Sequence, residues 1–136
     1  MFSVSDSSFS LSLPQEQPAL RVFTMPADAN PAGDVFGGYL MSQIDLAGAT
    51  VASVRARGRV VTVAVKELVF KHPVYVGDIL SLYATIVRVG TTSITVEIKV
   101  YVQRRQPANS VLLVADAHLV YVATNESGQP RPVPAE

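Results

Sequence analysis

One change of period constrains this chain more than any other feature. Between Phe36 and about Arg55 the apolar residues Leu40, Met41, Ile44, Ala47, Gly48 and Val51 recur at steps of three and four, with no proline in the stretch. That spacing marks the buried stripe of a single helix. At 1.5 Å per residue it predicts a helix of about 30 Å. Everything after it reads as strand. Ser93–Gln103 alternates without a slip, with Ile94, Val96, Ile98, Val100 and Val102 on one face and polar residues on the other. Val61–Phe70, Ile79–Val89 and Val111–Ala123 are apolar and rich in β-branched residues, and Leu20–Met25 reads as a short first strand stopped by Pro26. The connections His72–Asp78, Gly90–Thr92 and Arg104–Ser110 are too short for crossover helices, so neighbouring strands are expected to be antiparallel. One helix and a run of strands exclude a βαβ architecture. They predict an α+β layer, with the helix packed on an antiparallel sheet.

The flanks set the limits of this body. Residues 1–18 are rich in Ser, Gln and Pro and read as a flexible arm, and 19–125 form the single domain. The tail 126–136 holds Gly128, Pro130, Pro132 and Pro134 and is expected to be extended or disordered. Pro26–Gly33 is dense in turn formers, and Asp34 is placed to cap the helix. Gly58, after Arg55 and Arg57, marks the helix end.

Composition narrows the function. A chain of 136 residues is one domain with room for a real core. The absence of Cys excludes a disulfide framework, a Cys zinc site and a Cys nucleophile. Eleven basic residues balance 11 acidic ones, which argues against a nucleic-acid partner. Nine of those basic residues fall within 55–105, so neutrality leaves room for an anionic small ligand. The charged fraction of 16% is low, and association of subunits would hide the surface that charge usually covers. Met1–Leu13 lacks the basic start of a signal peptide, and the apolar run Val111–Ala123 is interrupted by Asp116 and His118. No membrane partner is expected, and a cytoplasmic location follows as the expectation.

Two places could carry chemistry. The first N–H groups of a helix lack internal acceptors, and that end carries about half a positive charge. Gly37 and Gly38 would let another group approach them, as an anion or oxyanion corner or simply as a loosened helix start. Asp45 lies mid-helix with Met41, Gly48, Ala49 and Ala52 at helical spacing. It is either a base in a roomy apolar setting or an Asp at the edge of the buried stripe. Asn30 and Asp34 also have turn and cap readings. His118 and Asp116 share a strand face and read as a satisfied pair rather than a catalytic dyad. Two histidines with no spaced carboxylate cluster predict no metal site.

Together these residues are recognisable. Pro26-Ala27-Asp28-Ala29-Asn30-Pro31-Ala32-Gly33-Asp34-Val35-Phe36-Gly37-Gly38, followed by Met41-Ser42-Gln43-Ile44-Asp45, resembles the signature of hotdog-fold acyl-CoA thioesterases, in their YciA-like branch. Gly58–Val65, Phe70-Lys71-His72-Pro73, Val76-Gly77-Asp78 and Val89–Ser93 are similar to the same branch, so the likeness runs from about Leu20 to Val122. The resemblance implies a curled sheet of about five strands wrapped around one long central helix. It implies a homodimer joined edge to edge, assembled as a trimer of dimers. It also implies that Asp45 is the catalytic acid, as general base for water or as nucleophile, and that Gly38 N–H forms the oxyanion hole. Asn30 matches a residue that shapes the site. Asp34 stands where double-hotdog relatives place a catalytic Asn in one half. Phe36 replaces the His found before the glycine pair in other members.

The implied substrate is an acyl-CoA, with no separate cofactor. Arg59, Lys71, Arg88 and the turn Gly90-Thr91-Thr92-Ser93 are expected to meet coenzyme A, and Thr62 its pantetheine. Seven residues separate Gly38 from Asp45, about two helical turns, so one site is expected to draw them from two chains. A hotdog hydratase or dehydratase is the first alternative, weakened by the lack of His in residues 1–71. A non-catalytic acyl-CoA-binding module is the second, without the basic N-terminal helix that would support a regulator.

Overall fold

The computed structural model describes residues 12–105 and 110–136. The arm assigned to residues 1–18 and the connection 104–110 therefore fall partly outside the described residues. The elements run β1 (Leu20–Phe23), a 3-10 turn (Pro26–Asp28), α1 (Gly37–Ala56), β2 (Val60–Phe70), β3 (Ile79–Val89), β4 (Ser93–Arg104) and β5 (Ser110–Ala123). The strands form one antiparallel sheet in the order β1-β3-β4-β5-β2. It curls around α1: this is the hotdog arrangement.

The alternation read in β4 is the burial pattern of the sheet. Ile94, Val96, Ile98, Val100 and Val102 are fully buried, opposite Tyr121, Leu119, Ala117, Ala115 and Leu112 of β5. From the helix, Leu40, Ile44, Ala47, Ala52 and Ala56 complete this core. A fully buried Leu or Ile contributes roughly 1.5–3 kcal/mol, so the period-2 and helical stripes together hold the layer.

The helix termini depart from expectation. Asp34 does not cap α1: it forms a β-bridge with Tyr75, and its carbonyl accepts the Asn30 N–H. Phe36, in extended conformation, is the capping residue and gives no side-chain hydrogen bond. The loop makes Asp34 unavailable, because Val35 N–H is drawn to Val74 O and Phe36 N–H to Asp28 O. At the other end the left-handed residue is Arg57, with φ 54°, rather than Gly58. Gly58 is instead a close approach, since a Cβ there would lie 2.8 Å from the Arg131 guanidinium.

The C-terminal tail is extended but fastened. Asn125 Oδ1 accepts from Ser127 N–H and Gln129 N–H, turning the chain back. Arg131 then donates to Thr124 O and Ala56 O, and Val133 N–H to Thr91 O. Among the described residues no helix is long and apolar enough to cross a membrane.

β2 is the odd element. Among the described residues it pairs only with β5, and Val63, Val65 and Phe70 stand 55%, 50% and 47% exposed. An eleven-residue apolar strand with an open edge is a surface prepared for pairing.

Candidate active site

Asp45 is held in place from two sides. Thr62 Oγ1, on β2, donates to Asp45 Oδ1 at 2.6 Å. The Tyr121 hydroxyl, on β5, donates to the Asp45 backbone carbonyl at 2.8 Å and lies 3.2 Å from Oδ1. Gly48, one turn along, makes this approach feasible: a Cβ there would come within 2.8 Å of Tyr121 Cζ. Burial first, and the Asp45 charge second, raise the Tyr121 pKa well above its ordinary value, so the phenol remains a donor. The carboxylate is only half-buried and faces a cleft of about 290 Å³. Gly38, Met41, Ser42, Thr62 and Leu68 line the same cleft.

Gly38 sits in the first turn of α1, where the peptide N–H groups have no acceptor within the helix. A Cβ at Gly38 would meet nothing within 4 Å. The glycine therefore leaves open space in front of the backbone and relieves no clash with the described residues. A carbonyl oxygen entering there meets N–H groups at the positive end of a 20-residue helix.

The loops before this helix are braced from below. Asp78, with 4% side-chain exposure, pairs with Arg104 at 2.8 Å, and Arg104 also donates to Pro73 O. The latch fixes the 72–78 loop, which in turn receives Val35 N–H and bridges Asp34. Asn30 works in the loop just before α1: its Oδ1 accepts Ala32 N–H at 2.9 Å and Asp34 N–H at 3.1 Å.

The structure thus brings Gly38, Asp45 and Thr62 into one cleft. Asn30 and Asp34 stay in the preceding loop. Thr62 spends its one hydroxyl proton on Asp45 and so holds that carboxylate. The cations expected for coenzyme A divide between two ends of the sheet. Lys71 follows β2 and lines a second groove with Gly37. Arg59 precedes β2, donates to Glu126 O, and shares its end of the sheet with the β3–β4 turn Gly90–Ser93, near Arg88. That turn is closed by Gly90 N–H to Ser93 O, and Thr91 O and Thr92 O accept from Val133 and Ala123. Tyr121 was not anticipated, since as one apolar-face position of a strand it carries no local signal.

The Asp116–His118 pair also differs from its reading as satisfied. His118 lies 3.7 Å from Glu67 and 3.6 Å from Glu97, on neighbouring strands, whereas Asp116 Oδ1 is buried and accepts no hydrogen bond from the described residues. Cross-strand neighbours come closer than residues two apart on one strand.

Residues 32–108 match the family model of the Thioesterase superfamily. The chain is 46% identical over 125 residues to acyl-CoA thioester hydrolase YciA of Salmonella typhimurium, covering 90% of this chain and 94% of that one. The crystal structure of a hexameric thioesterase from Yersinia pestis is similar with a TM-score of 0.86 at 43% identity, covering 90% of this chain and 100% of that one. An acyl-CoA hydrolase from Staphylococcus aureus, solved with butyryl coenzyme A and coenzyme A, is similar with a TM-score of 0.78 at 32% identity, covering 85% and 70%. That hydrolase was also solved with an Asn, an Asp or a Thr replaced by Ala. Their separations of 15 and 17 residues equal those from Asn30 to Asp45 and from Asp45 to Thr62. By fold, by family match and by identity over most of its length, this chain belongs to the Thioesterase superfamily as a hotdog-fold member.

Proposed function

We propose that this protein is an acyl-CoA thioesterase, hydrolysing acyl-CoA to a free fatty acid and coenzyme A. The observation that carries the reading is the Asp45 carboxylate, fixed by Thr62 and Tyr121 at the wall of an open cleft. The thioester carbonyl oxygen points at the Gly38 N–H, which stabilises the negative charge that develops there. Asp45 either takes a proton from the attacking water or attacks the carbonyl itself to give an anhydride that water then opens. In both routes the C–S bond breaks and the departing sulfur leaves as the free thiol. The proposed step needs water, Asp45 and peptide N–H groups, and no cofactor.

Gly38 and Asp45 are about 10 Å apart along one helix, too far to serve a single carbonyl carbon. The site is therefore shared, with Gly38 from one chain and Asp45 from its partner. The open edge of β2 supplies the junction: pairing with a second β2 would cover Val63 and Val65 and extend the sheet across the dimer. A trimer of such dimers fits the low charged fraction of 16%. Lys71, Arg59, Arg88 and the Gly90–Ser93 turn are the contacts proposed for the phosphates and the rest of coenzyme A, while Thr62 positions Asp45 beside the pantetheine. Asn30 and Asp34 support the entry loop.

A hydratase would need a histidine at the cleft. None lines it: His72 borders the Lys71 groove and His118 is on the opposite sheet face. Incubation with acyl-CoA thioesters of increasing chain length, with release of free thiol followed by absorbance, tests the proposal. Thiol release supports it. Binding without release, or hydration of an enoyl-CoA, overturns it.

A further inference from the structure

The sheet face turned away from α1 carries a second constellation. Alternation puts Ala115, Ala117, Leu119 and Tyr121 of β5 against the helix, so Asp116 and His118 point outward. The β4–β5 register sets Glu97 opposite His118, and the β2–β5 register sets Glu67 opposite it on the other side. One ligand atom from each of Glu97, Asp116 and His118 lies within 4.8 Å of the others.

Three features set this group apart from an ordinary polar surface. All three residues are half-buried, with side-chain exposures of 31% for His118 and 29% for Glu97. Asp116 Oδ1 is buried and accepts no hydrogen bond from the described residues, although its register partner is Lys99. A buried carboxylate oxygen without a donor is costly and calls for a cation or a proton. Finally, both carboxylates stand just beyond hydrogen-bond reach of the imidazole. Glu97 faces Nε2 at 3.6 Å and Glu67 faces Nδ1 at 3.7 Å.

From this geometry we infer that Glu97, Asp116 and His118 form a binding site for a divalent first-row cation of the Zn²⁺ class. His118 Nε2 and one oxygen each from Glu97 and Asp116 are the ligands, and Glu67 orients the ring through Nδ1–H. One imidazole with two carboxylates is a donor set for Zn²⁺ or Mn²⁺, and the missing sulfur disfavours Cu⁺. Metal–ligand bonds of about 2.0–2.2 Å place tetrahedral ligands about 3.4 Å apart, against the 4.8 Å within which the three ligand atoms already lie. A carboxylate on the far nitrogen of a ligating His is the usual outer-shell partner, and Glu67, 3.7 Å from Nδ1 on an exposed side chain, is the group that would close to that position. The cation would clamp β4 to β5 on the face away from the cleft. Its role is therefore to stabilise the sheet or an assembly contact, and hydrolysis at Asp45 proceeds without it.

The test uses untagged full-length protein stripped with EDTA and titrated with ZnCl₂ by calorimetry, with bound zinc counted after dialysis. Wild type is expected to bind one Zn²⁺ per chain saturably and to gain thermal stability on loading. His118→Gln and Asp116→Asn are expected to weaken binding at least tenfold and to abolish the thermal gain, while Glu67→Gln weakens it about 10–100-fold. All three positions are on the outer face, so circular dichroism of the zinc-free variants should match wild type. Absence of saturable binding overturns the inference, as does binding that survives both His118→Gln and Asp116→Asn.

Discussion

Tyr121→Phe isolates what positions Asp45. The ring is fully buried and phenylalanine keeps its packing, so the change removes the hydroxyl alone. Lost with it are a 2.8 Å bond to the Asp45 carbonyl and a 3.2 Å approach to Oδ1. A neutral hydrogen bond is worth about 1 kcal/mol net and one to a charged group about 1.5–3, so a divided bond costs about 1–2 kcal/mol. For a chain of this length, that lowers Tm by about 4–7 °C at fixed protein concentration. Asp45 keeps its 2.6 Å bond from Thr62, so the carboxylate stays in the cleft but less well aimed. The expected result is a roughly tenfold fall in kcat with KM unchanged, read from thiol release. The same hydroxyl has a pH signature. Burial and the Asp45 charge make the folded state hold this proton more tightly than the unfolded state does. The stability this gives is complete below the unfolded value, about pH 10, and is lost as pH rises further, by up to about 1.4 kcal/mol per unit. Tyr121→Phe lacks that decline, so the stability gap between wild type and variant should narrow above pH 10. A variant with lowered Tm but wild-type kcat would refute the positioning argument and leave Tyr121 as a core residue only.

Gly38→Ala meets no atom of the described residues within 4 Å, so Tm should hold or rise slightly while thiol release falls at least about 100-fold, as the methyl enters the space of the carbonyl oxygen. Thr62→Ala should lower kcat, and Thr62→Ser should restore most of it, because only the hydroxyl bonds Asp45. Arg104→Met leaves Asp78 charged and buried at 4% side-chain exposure, and should cost about 3–5 kcal/mol in chemical denaturation.

The sheet and helix were legible in the sequence because each rests on a period. The alternation in Ser93–Gln103 and the stripe from Leu40 to Val51 survive as burial, with boundaries shifted by a residue or so. The caps were not. Asp34 has the chemistry of an N-cap, but the hydrogen bonds that Val35 N–H donates to Val74 O and Phe36 N–H donates to Asp28 O draw the chain past it. Asp45 and Gly38 were legible through the signature they share with the family. Tyr121, the Thr62 bond and the Glu97–His118 contact were not, because each joins residues on different elements. Such contacts depend on strand register, and the register shifts in β2–β5 between Thr62 and Ala64 and between Val65 and Glu67, and in β4–β5 between Val100 and Tyr101, are announced by no local pattern.

The central claim is that the Asp45 carboxylate does the chemistry, and Asp45→Asn tests it most directly. Asparagine keeps the shape and can still accept from Thr62 and Tyr121, but it neither takes a proton from water nor attacks a thioester. Side-by-side thiol-release kinetics with one acyl-CoA should show kcat/KM lowered by about 10²–10⁴ with Tm and coenzyme A binding retained. A variant that stays within threefold of wild type would contradict the account.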